Sequence, residues 1–513
     1  MTYAPPLRMI PEEEGCPAVD VIVVGAGNAA ACSALAAREA GAGSVLMLEA
    51  APEAEAGGNS TYTAGAMRVT YDGIDDLRQL VPDVADELVA ITDFGSYRAD
   101  AFFDDMFRMT QFRTDPGLVE ILVRQSLPTL RWMREQGVRF QLSFGRQAYK
   151  VDGRFRFWGG LACEVWGGGP GLVEMLHASC RKRGVEIRFS TPAVDLLRDD
   201  AGVRGVVVQT PAGRKVIRAG SVVLACGGFE SNAEMRARYL GPDWDLAKVR
   251  GTRFNMGDGI RMALEAGALP YGHWSGAHAV GWDRDAPAYG DLAVGDNYQK
   301  HSYPFGIMVN ANGERFVDEG ADFRNYTYAK YGREVLRQPG MFAWQVFDAK
   351  VVSMLRDEYR IREVTKVTAN SVEDLAQKLD GVNPERFLET LRAYNAAVRT
   401  SVPFNPTVKD GRGTDGLALP KSNWANTIDQ APFEAYAITC GVTFTFGGVK
   451  VSDRGEVIDR AGSAIPGLYS AGEMVGGIFY HNYPGGTGLT SGAVFGKLAG
   501  ENAGRHALSL QAA

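Results

Sequence analysis

The chain has 513 residues, of which 45% are hydrophobic and 22% charged, a composition typical of a soluble globular protein with two or three domains. Its formal net charge of −7 argues against nucleic acid as a main partner, and no apolar run is long enough to span a membrane. The six cysteines form no CxxC or CxxCH pattern, so we predict no zinc, thioredoxin-like or c-type haem site and no other metal site.

The N-terminal segment 1–18 contains no apolar core and no Arg-Arg pair, so we predict no signal peptide. The scattered cysteines lie in apolar contexts such as VVLACGG, which is typical of reduced thiols in a protein core. Both features indicate a cytoplasmic protein.

The first predicted element is a buried strand, VDVIVV, followed by a glycine-rich turn and an alanine-rich helix. In that turn Gly25, Gly27 and Ala30 form the G-x-G-x-x-A fingerprint of dinucleotide binding. Gly25 allows the tight turn, Gly27 lets a pyrophosphate approach the backbone, and Ala30 lets the helix pack against the strand. A second strand, SVLMLEA, brings Glu49 to the position of the acid that accepts from ribose hydroxyls. This order predicts a Rossmann-like unit.

The next loop, GGNSTYTAGAM, offers backbone donors and hydroxyls that suit a flavin pyrophosphate and ring. Its predicted cofactor contacts are Gly58, Asn59, Ser60, Thr61 and Gly65. Three later segments are also rich in small residues, namely VVLACGGFE at 222–230, GDGIRMALEAGA at 257–268 and IPGLYSAGE at 465–473.

In this order, from residue 19 to 505, these segments resemble the flavoprotein family of fumarate reductase and succinate dehydrogenase, which includes the 3-ketosteroid dehydrogenases. The resemblance implies FAD as cofactor and places Glu473 on its ribityl chain. It also implies that the N-terminus of the last helix points at the flavin C2 carbonyl. Succinate dehydrogenases attach FAD through a histidine where this chain has Asn59, so non-covalent FAD is predicted. Further implied cofactor contacts are Gly227, Asp258, Gly486, Gly488, Leu489 and Thr490.

The predicted fold class is α/β, a Rossmann-like FAD-binding domain with an inserted α+β capping domain. The FAD-binding domain is expected at 1–275 and again at 436–513, with the capping domain at 276–435. Segment 202–225 predicts a hairpin with its turn at Pro211 to Gly213, and the strands of AYAITCGVTFTFGGVKVSDRGEVID are expected to return to the FAD-binding domain. The substrate cleft is expected between the two domains.

The segment GERFVDEGADFRN resembles the one whose arginine passes a proton to or from the substrate carbon in fumarate reductases. Arg324 takes that place, one position later than the family's usual spacing. Because the ordinary pKa of arginine lies above about 12, we expect nearby carboxylates to relay the proton. The candidates for this relay are Asp318, Glu319 and Asp322. The same resemblance makes His278 a carboxylate-binding histidine; we expect His301 to face the cleft and His273 to be a packing or surface histidine.

Two substrate ligands of fumarate reductases are replaced in this chain, a histidine by Phe444 and an arginine by Tyr483. In 3-ketosteroid dehydrogenases a tyrosine in a segment like HNYPGGTG polarises the C3 ketone, a part that Tyr483 would take. The strings WSGAHAVGWDR, QKHSYPFGIMVN and HNYPGGTGLTSGAVFG resemble the FAD-dependent tricarballylate dehydrogenases. This second resemblance implies oxidation of tricarballylate to cis-aconitate.

On this hypothesis a substrate proton leaves to Arg324 and a hydride to flavin N5. The polycarboxylate is held by His278, His301, His481 and Tyr483, with Arg68 as a further candidate. Electrons then pass to a separate acceptor, a membrane-associated iron–sulfur or haem protein or a quinone-linked partner, which would hold the chain at the inner face of the membrane.

Two other classes stay open, a ketosteroid-type enone dehydrogenase or other unsaturated-acid oxidoreductase, and a non-catalytic electron-transfer flavoprotein. The polarity of the cleft distinguishes an acid substrate from a steroid substrate. Five or six cationic groups would indicate a polyacid, and a lining of mostly Phe, Leu and Met would indicate a steroid.

Overall fold

The structure is a computed structural model that describes residues 19–511. Cys16 and the segment for which no signal peptide is predicted lie outside the described residues. Between residues 19 and 511, no helix is both long enough and apolar enough to cross a membrane.

The strands in chain order are β1 (Val19–Val24), β2 (Val45–Leu48), β3 (Ala66–Met67), β4 (Thr92–Asp93), β5 (Phe140–Leu142), β6 (Ala148–Val151), β7 (Arg154–Phe157), β8 (Cys163–Val165), β9 (Glu186–Arg188), β10 (Ala193–Asp199), β11 (Gly202–Thr210), β12 (Gly213–Leu224), β13 (Lys248–Val249), β14 (Pro270–Asp283), β15 (Ile307–Val309), β16 (Phe342–Phe347), β17 (Lys366–Ala369), β18 (Phe433–Val449), β19 (Glu456–Ile458) and β20 (Ala464–Ser470).

The α-helices are α1 (Asn28–Glu39), α2 (Ile74–Arg78), α3 (Asp86–Ala90), α4 (Ala99–Met109), α5 (Pro116–Glu135), α6 (Phe144–Gln147), α7 (Gly168–Lys182), α8 (Ala233–Leu240), α9 (Asp258–Glu265), α10 (Tyr328–Leu336), α11 (Ala349–Val352), α12 (Val372–Lys378), α13 (Pro384–Ala397) and α14 (Thr487–Gln511). Short 3₁₀ turns at Gly58–Tyr62, Arg324–Tyr326 and Gly472–Met474 carry several of the predicted site residues.

The first sheet has the strand order β10-β11-β12-β1-β2-β9, with β20 beside β12 and β19 beside β20. Strand β1 pairs in parallel with both β2 and β12, as its continuous run of β-branched residues predicts. The predicted hairpin is the antiparallel pair β11 and β12. Helices α1 and α14 pack together closely because α14 carries glycines, and a Cβ at Gly500 would lie 2.0 Å from the Ser33 carbonyl oxygen.

The second sheet has the order β13-β18-β16-β15, and β14 and β17 also pair with β18. The strands predicted within residues 435–459 for the return to the FAD-binding domain divide between the two sheets, and Phe433–Val449 forms the centre of the second sheet as β18. Its residues are buried almost without interruption, which suits a strand with neighbours on both edges. Only β19 and β20 return to the first sheet.

The two predicted domain boundaries, 275/276 and 435/436, fall inside β14 and β18. These strands pair with each other, and their register sets His278 opposite Phe444. Both ends of the predicted insertion therefore lie in the second sheet, but at different points along β18, because His273 pairs with Phe446 and Asp283 with Ile438.

Candidate active site

A large cavity is lined by residues from the carboxyl ends of first-sheet strands and by residues of the second sheet. The glycine-rich turn after β1 and the end of β2 line one part of it, and β14, β18 and the segment before α10 line the other. Clefts between two units of a fold are preferred places for ligands.

The turn after β1 presents the N-terminus of α1 to this cavity. Gly27 precedes the helix and has no side chain to cap it, the Ser60 hydroxyl accepts only from the Asn28 N–H, and the first turn contains no acidic residue. These features suit an anionic ligand, because the helix dipole and backbone N–H groups then face it. Gly25 has φ +111°, and a Cβ there would lie 2.4 Å from the Ala225 carbonyl oxygen, so only glycine fits.

Three acidic side chains lie in or beside the cavity, of which Glu49 and Glu230 are buried and Glu473 is half-buried. At the end of β2, Glu49 accepts a hydrogen bond of 2.9 Å from the Ala51 N–H, and burial raises its pKa. Glu473 accepts 2.6 Å from the Thr445 N–H, and burial raises its pKa to about 7. Burial and the Glu473 carboxyl raise the pKa of Glu230 well above its ordinary value, so this pair holds at least one proton. The sequence analysis did not predict that Glu230 interacts with Glu473 beside the cavity.

The GGN loop closes against the rest of the site through its side chains. The Asn59 amide nitrogen donates to Glu230 at 2.6 Å, and its oxygen accepts from the Thr252 N–H at 2.8 Å. The Ser60 hydroxyl accepts from the Asn28 N–H at 3.0 Å. Asn59 therefore lines the cavity and also holds the GGN loop to Glu230 and Thr252 by hydrogen bonds.

Most predicted cofactor residues line the cavity, and a smaller group lies behind its wall. The lining residues are Gly25, Gly27, Glu49, Gly58, Asn59, Ser60, Gly227, Asp258, Glu473, Gly486, Gly488 and Leu489. Ala30, Thr61, Gly65 and Thr490 are not among the described lining residues. The hydroxyl of Thr61 donates to Ala56 at 2.9 Å and that of Thr490 to Arg68 at 2.8 Å, so both hold backbone in place.

Arg324 begins a 3₁₀ turn at the opposite part of the cavity. Its Nη2 donates to the Arg146 carbonyl oxygen at 2.8 Å, and its guanidinium lies 5.2 Å from the Trp158 ring centre. Its Nε is buried and has no hydrogen-bond partner among residues 19–511. Burial, followed by the charge of Arg356, lowers the pKa of Arg324 to about 9. A guanidinium with this pKa can exchange protons far more readily than an exposed one.

Each of the three acids expected to relay a proton to Arg324 has another partner. Asp318 accepts from the Ser422 N–H at 3.0 Å, Glu319 pairs with Arg315 at 2.5 Å, and Asp322 pairs with Arg108 at 2.5 Å.

His278 and His301 are buried in the same part of the cavity. Both ring nitrogens of His278 lack a hydrogen-bond partner in the described part of the chain, and so does Nε2 of His301. Burial lowers the pKa of both rings well below the ordinary value, so both are neutral at pH 7. A neutral imidazole can donate one hydrogen bond to a ligand oxygen.

Tyr483 is also buried and forms a hydrogen bond, hydroxyl to hydroxyl, with Tyr328. The His278 ring centre lies 4.8 Å from that of Tyr483, 5.1 Å from that of Tyr328 and 5.2 Å from that of Phe444. Tyr328 was not predicted, although it stands one helical turn after Arg324 in the segment RNYTYAKYG.

The structure places His481 and Arg68 outside the described lining of the cavity. The His481 ring lies 4.5 Å from that of His273, whose Nδ1 accepts from the His481 N–H at 3.0 Å. The Arg68 guanidinium is fully buried, donates to Gly485 at 2.8 Å and lies 3.8 Å from Asp105. Arg68 thus supports the backbone of the last glycine segment.

Arg250 is a cavity residue that sequence reasoning missed. It makes a two-pronged pair with Asp296, at 2.6 and 2.9 Å, and both residues line the cavity with Arg146. This part of the cavity therefore combines three arginines, one of them paired with Asp296, and two neutral histidines with the aromatic rings of Phe444 and Phe479.

A family model described as an FAD binding domain matches residues 20–489. The chain belongs to the FAD binding domain family. It is 30% identical over 495 residues to a probable fumarate reductase of Shewanella frigidimarina (strain NCIMB 400), covering 95% of this chain and 75% of that protein. It is 29% identical over 365 residues to a 3-oxosteroid 1-dehydrogenase of Mycolicibacterium smegmatis, covering 65% of this chain and 62% of that protein. The open conformation of a flavocytochrome c3 fumarate reductase superposes with a TM-score of 0.70 at 29% identity, over 96% of this chain and 80% of that chain.

The predicted α/β fold class and the FAD cofactor are thereby confirmed, and the chain is an oxidoreductase of the fumarate reductase family. The residues present fit FAD. The glycine-led N-terminus of α1 suits a pyrophosphate, and the buried Glu49 carboxyl lies where the family's ribose-binding acid is expected. The N-terminus of α14, lined by Gly486 and Gly488, suits the part of a flavin that becomes anionic on reduction.

Proposed function

We propose that this FAD-dependent oxidoreductase dehydrogenates a CH–CH bond of a tricarboxylic acid, converting tricarballylate to cis-aconitate. The observation that carries the proposal is Arg324, a cavity-lining arginine whose pKa is lowered to about 9 by burial and by the charge of Arg356. Such a group can accept a proton from carbon in its neutral form and binds an acid substrate in its charged form.

Bound FAD supplies the hydride acceptor. Arg324 is proposed to take the proton from the neighbouring substrate carbon, so that its neutral fraction limits the rate. Burial of the site excludes water and strengthens every charged contact within it.

The substrate carboxylates are proposed to bind His278 and His301, whose buried ring nitrogens lack partners within the described residues. A carboxylate beside a neutral imidazole favours its protonation, because the opposite charge offsets the desolvation that lowers its pKa. Arg146 adds positive charge to this part of the cavity, whereas the charge of Arg250 is offset by its ion pair with Asp296. His481 and Arg68 are left out of the proposal, since neither lines the cavity.

A second candidate, an enone dehydrogenase of the ketosteroid type, is favoured by the hydrogen-bonded Tyr328 and Tyr483 and by the rings of Phe444 and Phe479. A protonated tyrosine hydroxyl can donate a hydrogen bond to a ketone oxygen, and burial raises the pKa of Tyr483 well above its ordinary value, so this hydroxyl stays protonated. The 3-oxosteroid 1-dehydrogenase relative supports the same candidate.

Tyr483→Phe distinguishes the two candidates. If the substrate is a tricarboxylate, the variant loses less than about tenfold in kcat/KM, because Tyr483 makes one of several polar contacts. If it is an enone, loss of the oxyanion donor costs about 10²- to 10³-fold in kcat. Tyr480→Phe serves as a matched control, since Tyr480 stands three residues earlier and is not among the described lining residues. Steady-state assays with a dye acceptor, with cis-aconitate identified by mass spectrometry, give the result.

We also propose that electrons leave the reduced protein to a separate acceptor. Relatives of this chain support such coupling by their names, a cytochrome fumarate reductase of Shewanella frigidimarina and an NADH:fumarate oxidoreductase of Klebsiella pneumoniae.

A further inference from the structure

Glu230 is a fully buried acid behind the wall of the large cavity, in the segment VVLACGGFE. Its Oε1 accepts a hydrogen bond from the Asn59 amide at 2.6 Å and one from the Asn255 amide at 2.5 Å. Its Oε2 is buried and has no hydrogen-bond partner among residues 19–511. A buried carboxyl whose neighbours are amides and a second carboxyl is far more stable in its neutral form, because burying an unpaired charge is costly.

The three side chains that interact with Glu230 all line the cavity that fits FAD, whereas Glu230 itself is not among the described lining residues. Asn59 belongs to the GGN loop, Asn255 precedes α9, and Glu473 lies on the 3₁₀ turn Gly472–Met474. Glu230 therefore connects three segments that are distant in sequence and that meet at the cofactor cavity.

The proton of the two carboxyls belongs to Glu230. Burial raises the pKa of both groups, and beyond burial Glu473 raises the pKa of Glu230 whereas Glu230 lowers that of Glu473. Because Oε1 of Glu230 already accepts two amide hydrogens, Oε2 is the oxygen that can carry the proton. A further charged group, Arg236, donates to the backbone carbonyl of Glu230 at 2.5 Å and not to its carboxyl.

We propose that Glu230 is a positioning residue for FAD, which accepts from Asn59 and Asn255 through Oε1 and presents its proton on Oε2 to the Glu473 carboxylate. Glu473 thereby stays charged and oriented to accept from a hydroxyl of the cofactor, the part that family resemblance gives it on the ribityl chain. The inference needs FAD, which the family assignment supports, and no particular substrate.

Two substitutions at Glu230 test this role. Glu230→Gln keeps the size of the side chain, an oxygen that accepts from both asparagines and a hydrogen to donate to Glu473. Its FAD should dissociate within about twofold of the wild-type rate. Glu230→Ala leaves two buried amide donors unpaired, so FAD should dissociate at least about tenfold faster. The measurement is the rise of flavin fluorescence after dilution of the FAD-loaded protein.

Glu234→Gln is the matched control, since Glu234 stands four residues later, is exposed, and lies 4.0 Å from Arg238 at the surface. FAD should dissociate from this variant at the wild-type rate. Circular dichroism of each variant shows whether it folds. If Glu230→Ala does not fold, the comparison of Glu230→Gln with wild type decides the question.

The pH dependence of FAD dissociation provides a readout that a purely structural role would not change. A raised pKa means that FAD binding is supported while Glu230 holds its proton and is weakened as the pH rises and the proton leaves, because two carboxylates then repel each other. Wild-type protein should therefore lose FAD faster at alkaline pH, and Glu230→Gln, which cannot ionise, should show less of this increase.

Two results would overturn the inference. Wild-type FAD retention in a folded Glu230→Ala variant would show that Glu230 does not position the cofactor. Faster FAD loss in Glu230→Gln, or the same pH dependence as wild type, would show that the proton is not on Glu230. These measurements contain no substrate, so their outcome is independent of whether the protein oxidises tricarballylate.

Discussion

Arg324→Ala is expected to lower kcat by about 10³-fold or more while the purified protein stays yellow. The variant removes both the proton acceptor and a positive charge from the substrate part of the cavity. FAD should stay bound, because the residues that fit its pyrophosphate and ribose, around Gly27 and Glu49, belong to the first sheet. The measurement is kcat with tricarballylate and a dye acceptor, with FAD content from the absorbance of the same sample.

Arg337→Ala is the matched control for this experiment. Arg337 follows α10 on the same segment, is exposed, and pairs with Glu334 at 3.4 Å at the surface. Exposed pairs of this kind contribute little, so kcat should stay within about twofold of wild type. Near-wild-type turnover by Arg324→Ala would show that this arginine does not take part in the reaction. The proposed function would then lose the observation on which it rests.

The second large effect is a dependence of dehydrogenation on pH. The free protein must hold Arg324 neutral for it to accept a proton, and burial and the charge of Arg356 lower its pKa to about 9. Below that pH the neutral fraction falls about tenfold per unit, so kcat/KM should rise about 50-fold between pH 7 and 9 and level off at about 100-fold above its value at pH 7. The break in kcat should lie at higher pH, because bound carboxylates favour the charged guanidinium.

The two buried histidines do not obscure this profile, because burial keeps both rings neutral in the free protein over that range. In the reverse direction, reduction of an unsaturated acid by pre-reduced protein, Arg324 must be charged and the pH dependence should invert. A flat dehydrogenation profile, or a single break near pH 6.5, would assign the proton transfer to another group.

The Rossmann-like unit could be predicted from the sequence because its signals are local. The G-x-G-x-x-A turn must follow a strand and open a helix, and β1, α1 and β2 form in that order. The position of β18 could not be predicted, since a continuously buried strand shows its burial but not its neighbours. Pairing with β14 across some 150 intervening residues is a long-range event without a local signal.

The candidate site could also be predicted only in part. Arg324, His278, His301 and Tyr483 line one cavity, and their roles there stay predictions. The partners that change their chemistry come from distant segments, because Arg356 lowers the pKa of Arg324 and Tyr328 bonds Tyr483. Electrostatic partners of this kind follow from three-dimensional packing, so a single sequence does not reveal them.

The most direct test of the central claim is anaerobic reduction of the bound FAD by candidate substrates. The purified protein is mixed without oxygen with tricarballylate, succinate, citrate or a 3-ketosteroid, and the flavin absorbance is followed. The proposed function predicts rapid bleaching by tricarballylate, with slower or no bleaching by the others. Bleaching by the 3-ketosteroid but not by tricarballylate would contradict it.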